Sequence, residues 1–211
     1  MPAPRPLHIL VTGFGPFPGA PDNPTGKLVQ TLADGPLSQT HDAVVTAHVF
    51  TTRYDTVDRT LPQLLADLRP DALLMFGLAI RSRAIRIECR ARNTISATPD
   101  EGGFSPGPSP IDETASPSLA VRAPVEHLLA ALQRDGLPAR LSRDAGAYLC
   151  NYSLWHATRA AAQPDGPRIA AFIHVPPVSA RMPAERMLGA GHTLLRATVA
   201  ALRDNQGVGR T

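Results

Sequence analysis

The chain has 211 residues, 43% of them hydrophobic and 18% charged, a balance that suits a globular protein and excludes the apolar-poor, charge-rich composition of a disordered one. That length allows one well-buried core, so a single domain over residues 1–211 is expected. The formal net charge is only +3 and the basic residues are scattered, without the stripe that a phosphate backbone demands, so no nucleic-acid partner is expected.

Residues 7–12 (LHILVT) form a short apolar run rich in β-branched side chains that stops at Gly13, as a buried strand would. The turn chemistry of Asp22-Asn23-Pro24-Thr25 precedes a helix starting near Thr25, and 43–50 (AVVTAHVF) reads as the second strand. Leu61, Leu64, Leu65 and Leu68 recur at helical spacing, and because Pro62 is tolerated only in a first turn, this helix is placed from near Thr60 to Leu68. Residues 71–76 (DALLMF) give a third strand ending at Gly77, and the period-two alternation from Ile85 to Ala91 gives a fourth. From Thr94 to Pro117 the chain is rich in Pro, Gly and Ser without periodicity, which predicts a long surface excursion.

Val125, Leu128, Leu129 and Leu132 mark a helix ending before Gly136, and 139–141 offers a brief strand. A helix over 150–162, a strand over 168–175 stopped by Pro176-Pro177, and a helix over 184–203 complete the chain. Strands and helices thus alternate, which predicts an α/β fold: a three-layer αβα sandwich with helices on both faces of a largely parallel sheet.

Two cysteines, Cys89 and Cys150, are too few for a disulfide framework and suit a reducing compartment. The opening MPAPRPLHILVTG puts prolines where a secretory leader has its apolar core, and no apolar run approaches the roughly 18 residues of a membrane span. A cytoplasmic protein without membrane contact is the expectation.

Three residues stand out chemically. Cys150 comes after Asp144-Ala-Gly-Ala-Tyr-Leu at a strand-to-helix junction, and a helix N-terminus favours negative charge on a thiol and offers N–H donors to an oxyanion. Gly146 would let that turn be tight. A small buried hydrophobe is the competing account of this cysteine. His174 ends an apolar strand before a proline pair, at the strand end where open α/β sheets present their sites, whereas His8, His48 and His127 fall inside elements. Glu88 lies on the polar face of the Ile85–Ala91 alternation between arginines; it is either a member of a solvated ion-pair ladder or the group that orients a histidine. Cys89 falls on the apolar face of the same strand, which argues against it as a nucleophile.

Gly13-Phe14-Gly15-Pro16-Phe17 comes directly after the first strand but lacks the spacing of a dinucleotide loop, and no acidic residue ends the second strand to hold a ribose. Phe14 and Phe17 instead suit the wall of a small apolar pocket, or a cover for the core. No His, Cys, Asp or Glu cluster has metal-ligand spacing.

Four segments together resemble the pyroglutamyl peptidase I family, the pyrrolidone-carboxylate peptidases: VTGFGPFPGAPDNPTG at 11–26, GLAIRSRAIRIECRARN at 77–93, SRDAGAYLCN at 142–151 and FIHVPP at 172–177. The last two in that order are specific; the glycine-rich loop alone would be weak. The resemblance implies a Glu88-Cys150-His174 triad working without metal or cofactor on a small peptide with a blocked N-terminus, in a homo-oligomer. It also implies an aromatic enclosure of the pyroglutamyl ring, to which Phe14 and Phe17 correspond, with Tyr148 and Leu149 beside the cysteine. The chain departs from many bacterial members at Leu78, where they carry a glutamine, and at Ile80-Arg81-Ser82, where they carry Gly-Gly-Arg. Two other readings therefore stay open: a same-fold cysteine amidohydrolase with a different N-acyl preference, and a binding protein that keeps the triad without turnover.

Overall fold

A computed structural model describes residues 5–17, 19–36 and 43–207. Its element order is β1 (Leu7–Phe14), α1 (Thr25–Ala33), β2 (Ala43–Phe50), α2 (Tyr54–Leu68), β3 (Ala72–Leu78), β4 (Ile85–Glu88), β5 (Arg90–Arg92), β6 (Ser118–Ala120), α3 (Val125–Arg134), β7 (Ala139–Ser142), α4 (Leu149–Ala160), β8 (Ile169–Val175) and α5 (Ala184–Gly207). The main sheet runs β2-β1-β3-β8-β4-β7. Every neighbouring pair in it is parallel except β4 with β8, so the sheet is mixed.

Strand alternation sorts the core into two halves. Ile9, Val11, Leu74, Phe76 and Ile173 face the side packed by α1, α3 and α5 through Leu32, Leu128 and Leu195. Leu10, Leu73, Met75 and Phe172 face the opposite side, packed by α2 and α4 through Leu61, Leu154 and Trp155. This is the expected three-layer α/β sandwich. Because β3 and β8 are sheathed on both faces, they read as unbroken apolar runs, and all seven residues of β8 are buried.

Several boundaries differ from expectation for identifiable reasons. Strand β1 continues through Phe14 because Gly13 and Phe14 stay paired with Val49 and Phe50, and β3 likewise runs through Gly77 to Leu78, opposite His174 and Val175. Helix α2 starts at Tyr54, not near Thr60, so Pro62 sits inside it. Pro62 is exposed, so the carbonyl it leaves without a partner can be hydrated. The cap is supplied from afar: the Tyr54 N–H donates to Asp100 Oδ2 at 3.1 Å. The single strand expected from Ile85 to Ala91 is broken at Cys89; β4 joins the main sheet and β5 pairs with β6 in a separate two-stranded sheet. Between Thr94 and Pro117 the chain is mostly exposed, yet Ile95 and Asp100 are buried and Ile95 bridges Ser109. Among the described residues no helix is long and apolar enough to cross a membrane.

Candidate active site

The sheet lays the chemistry out in a row. On β8, Phe172 and His174 share the face that looks toward α4, because Phe172 packs in the core half that α4 covers. In register, His174 stands opposite Gly77 of β3 on one side and Arg86 of β4 on the other. Glu88, two residues beyond Arg86, returns to that same face.

Glu88 is completely buried, which overturns the solvated-ladder account of its strand. Its Oε1 accepts from His174 Nδ1 at 2.8 Å and from Arg86 Nε and Nη2 at 3.2 and 3.0 Å. A carboxylate only accepts, so the proton between the two residues sits on Nδ1 and the other ring nitrogen is left as the imidazole's base. Arg86 Nη2 also comes within 3.3 Å of Nδ1; these are two donors converging on one oxygen. Burial, the largest influence, pushes the Glu88 carboxyl up, but the hydrogen bond and charge of His174, with Arg86, outweigh it and hold the carboxyl below its usual range. Burial likewise pushes His174 down, but the charge and hydrogen bonding of Cys150, and then of Glu88, raise the imidazole to about 9.

Cys150 is the second residue of α4 and only half-buried. The turn before it uses Gly146 at φ +84, a left-handed conformation that a side chain disfavours, with the Gly146 N–H donating to Asp144 Oδ1 at 3.0 Å. Tyr148, in extended conformation, caps α4 without a side-chain hydrogen bond. The N–H groups of Leu149, Cys150 and Asn151, ahead of the first intrahelical bond from Tyr152 to Tyr148, therefore have no intrahelical partner. Gly77 makes room for that sulfur: a Cβ at this position would fall 2.9 Å from Cys150 Sγ and 2.7 Å from the Phe172 ring.

Asn151 locks the helix start to the rest of the chain. Its Oδ1 accepts from the Arg92 N–H at 2.9 Å, and its Nδ2 donates to the carbonyls of Arg92 and Thr94 at 2.8 and 3.0 Å. With the side chain fully buried, Asn151→Ala leaves three backbone groups unpaired and should lower stability by about 2–4 kcal/mol, read as the urea midpoint.

Two cavities meet at Cys150. A narrow one of about 20 Å³ is walled by Phe14, Phe17, Leu78, Tyr148 and Leu149, and Asn23 and Thr52 complete it. An open cleft of about 700 Å³ holds His174 and Cys150 together and shares Phe17, Leu78 and Tyr148 with the narrow cavity. All eight side chains singled out from the sequence thus line these two spaces or, in the case of Glu88, stand behind His174. Sequence reasoning missed Asn23, Thr52, Gly77 and Arg86. Arg86 had a signal, since it shares the polar face of Glu88 by alternation; the other three depend on tertiary approach. Cys89 is half-buried and packs against the opposite core half, and burial pushes its thiol up. Among the described residues no group of three His, Cys, Asp or Glu is placed to hold a metal.

Such an arrangement can transfer an acyl group: a thiol, a base oriented by a carboxylate, and free N–H groups where an oxyanion would develop. A sequence profile described as pyroglutamyl peptidase matches residues 7–207. The pyrrolidone-carboxylate peptidase of Pyrococcus furiosus is 34% identical over 171 residues, 81% of each chain, and that of Thermococcus kodakarensis 32% over the same length and shares. Among solved structures, the pyrrolidone carboxyl peptidase of Thermococcus litoralis superimposes with a TM-score of 0.88 at 27% identity, covering 94% of this chain and 96% of that one.

Proposed function

Because the chain belongs to the pyroglutamyl peptidase family, and so to the peptidases, we propose that it is a cysteine peptidase that removes an N-terminal pyroglutamyl group, with Cys150 as nucleophile, His174 as base and Glu88 as orienter. The observation that carries this reading is the 2.8 Å hydrogen bond from His174 to a fully buried Glu88, beside a cleft that His174 and Cys150 line together. In the first half-reaction the Cys150 thiol gives its proton to His174 as its sulfur attacks the pyroglutamyl carbonyl, and the N–H groups at the start of α4 hold the oxyanion. The C–N bond then breaks as His174 gives its proton to the departing amine. In the second half-reaction His174 takes a proton from water, whose oxygen attacks the thioester; the C–S bond breaks to free pyroglutamate, and His174 returns the proton to the sulfur.

Specificity rests on exclusion. Pyroglutamate is a neutral lactam, whereas an ordinary N-terminus is an ammonium that would lose its water against Phe14, Phe17 and Leu78. The narrow cavity has room for about one water, less than a five-membered ring, so the half-buried Phe17 and Tyr148 must part on binding. Assay of the aminomethylcoumarin amides of pyroglutamate and of proline tests this. The two rings match in size and differ in charge, and release from the pyroglutamyl amide alone is expected. Equal release from both would refute the assignment.

The pH profile is set by the same contacts. His174 must be protonated to expel the amine, so kcat/KM should fall as pH rises through about 9. Glu88→Gln removes a carboxylate that raises the imidazole, so in that variant the alkaline limb should move to lower pH. Leu78 favours a second reading with the same chemistry, because its apolar side chain walls both cavities where many relatives carry an amide. A panel of N-acyl amides on which another acyl group outcompetes pyroglutamyl would select it.

A further inference from the structure

Resting on the peptidase reading above, we infer that the enzyme selects peptides whose leaving portion carries a carboxylate next to the scissile bond. The acyl ring belongs to the narrow apolar cavity, so the departing amine and the rest of its peptide must lie in the open cleft on the His174 side. That cleft is lined by three arginines, Arg81, Arg86 and Arg140, and by one carboxylate, Asp144. Their partners decide which charges remain for a ligand. Arg86 is engaged by Glu88 at 3.0 Å, and Asp144 is paired with Arg92 at 2.9 Å. The side chains of Arg81 and Arg140 are exposed and make no ion pair or hydrogen bond with any described residue.

The cationic lining continues outward. A second cavity of about 480 Å³ shares Ile80, Arg81 and Ser82 with the cleft and adds Arg83 and Arg181, and its lining holds no carboxylate. Both added side chains are exposed and also lack an ion pair among the described residues. Four uncompensated guanidinium groups around connected cavities attract anions, and the planar fork of arginine suits a carboxylate in particular. A carboxylate reaches this place from either of two sources, the C-terminus of a pyroglutamyl dipeptide or an acidic side chain just after the scissile bond.

Three substrates separate these sources: pyroglutamyl-alanine amide, pyroglutamyl-alanine as the free acid, and pyroglutamyl-glutamyl-alanine amide. Cleavage of at least one anionic substrate is expected to exceed that of the neutral amide by about five- to tenfold in kcat/KM, carried mainly by KM. Preference for the free acid identifies the terminal carboxylate, and preference for the glutamyl peptide identifies the side chain. The advantage should shrink toward unity near 1 M salt, and in the Arg81→Gln/Arg140→Gln double variant the ratio of anionic to neutral substrate should fall close to one. Three equal rates, or a ratio unmoved by the double variant, would overturn the inference while leaving the peptidase reading intact. Failure to cleave any of the three would remove both.

Discussion

Cys150→Ser should lower kcat/KM on a pyroglutamyl amide by at least about a thousandfold, and His174→Ala by a similar factor, with the fold intact in both. Serine keeps the size and polarity of the side chain at the second position of α4. A hydroxyl is far harder to ionise than a thiol, and one buried imidazole would have to remove its proton at every turnover. In the serine variant far-ultraviolet circular dichroism and the thermal midpoint should match the parent protein, because Cys150 is only half-buried and forms no disulfide, whereas His174→Ala should keep the circular dichroism but melt lower, because it leaves the buried Glu88 without its 2.8 Å partner. In the proposed mechanism the two residues act as a unit, so the double variant should be little worse than either single one.

Gly77→Ala is expected to cost about a hundredfold in kcat, a large effect for one methyl group at a position that performs no chemistry. The new Cβ would lie 2.9 Å from Cys150 Sγ and 2.7–2.8 Å from two atoms of the Phe172 ring. Phe172 is fully buried, so its ring can yield only by disturbing the core, and the half-buried sulfur must shift as well. The shift of the sulfur displaces it from its place beside the imidazole, and the conflict with the Phe172 ring should also lower stability. The loss should therefore appear in kcat far more than in KM. Retention of full activity would mean that the close approach of sheet and sulfur is dispensable.

How far the sequence could be read depends on how local each signal is. Cys150 and His174 were legible because their surroundings are written nearby: a glycine turn before a helix, and an apolar strand before two prolines. Glu88 was legible only in part. Alternation put it on a polar face with Arg86, but whether that face met water or α4 depended on β4 lying beside β8, a pairing made across 86 residues. The same limit explains the antiparallel placement of β4, which no short-range pattern encodes. Helix α2 was read six residues short because its first turn is capped by Asp100 from the far side of the chain, and because an exposed proline inside a helix costs less than a buried one. The arginines around the cleft look scattered in sequence, at positions 81, 83, 140 and 181, and only the fold collects them.

The most direct test is to inactivate the protein with iodoacetamide while locating the modified residue by peptide mass spectrometry. Activity is expected to vanish in proportion to alkylation of Cys150, with Cys89, set in the opposite core half, left unmodified. Turnover that persists once Cys150 is fully alkylated, or that tracks Cys89 instead, would contradict the account.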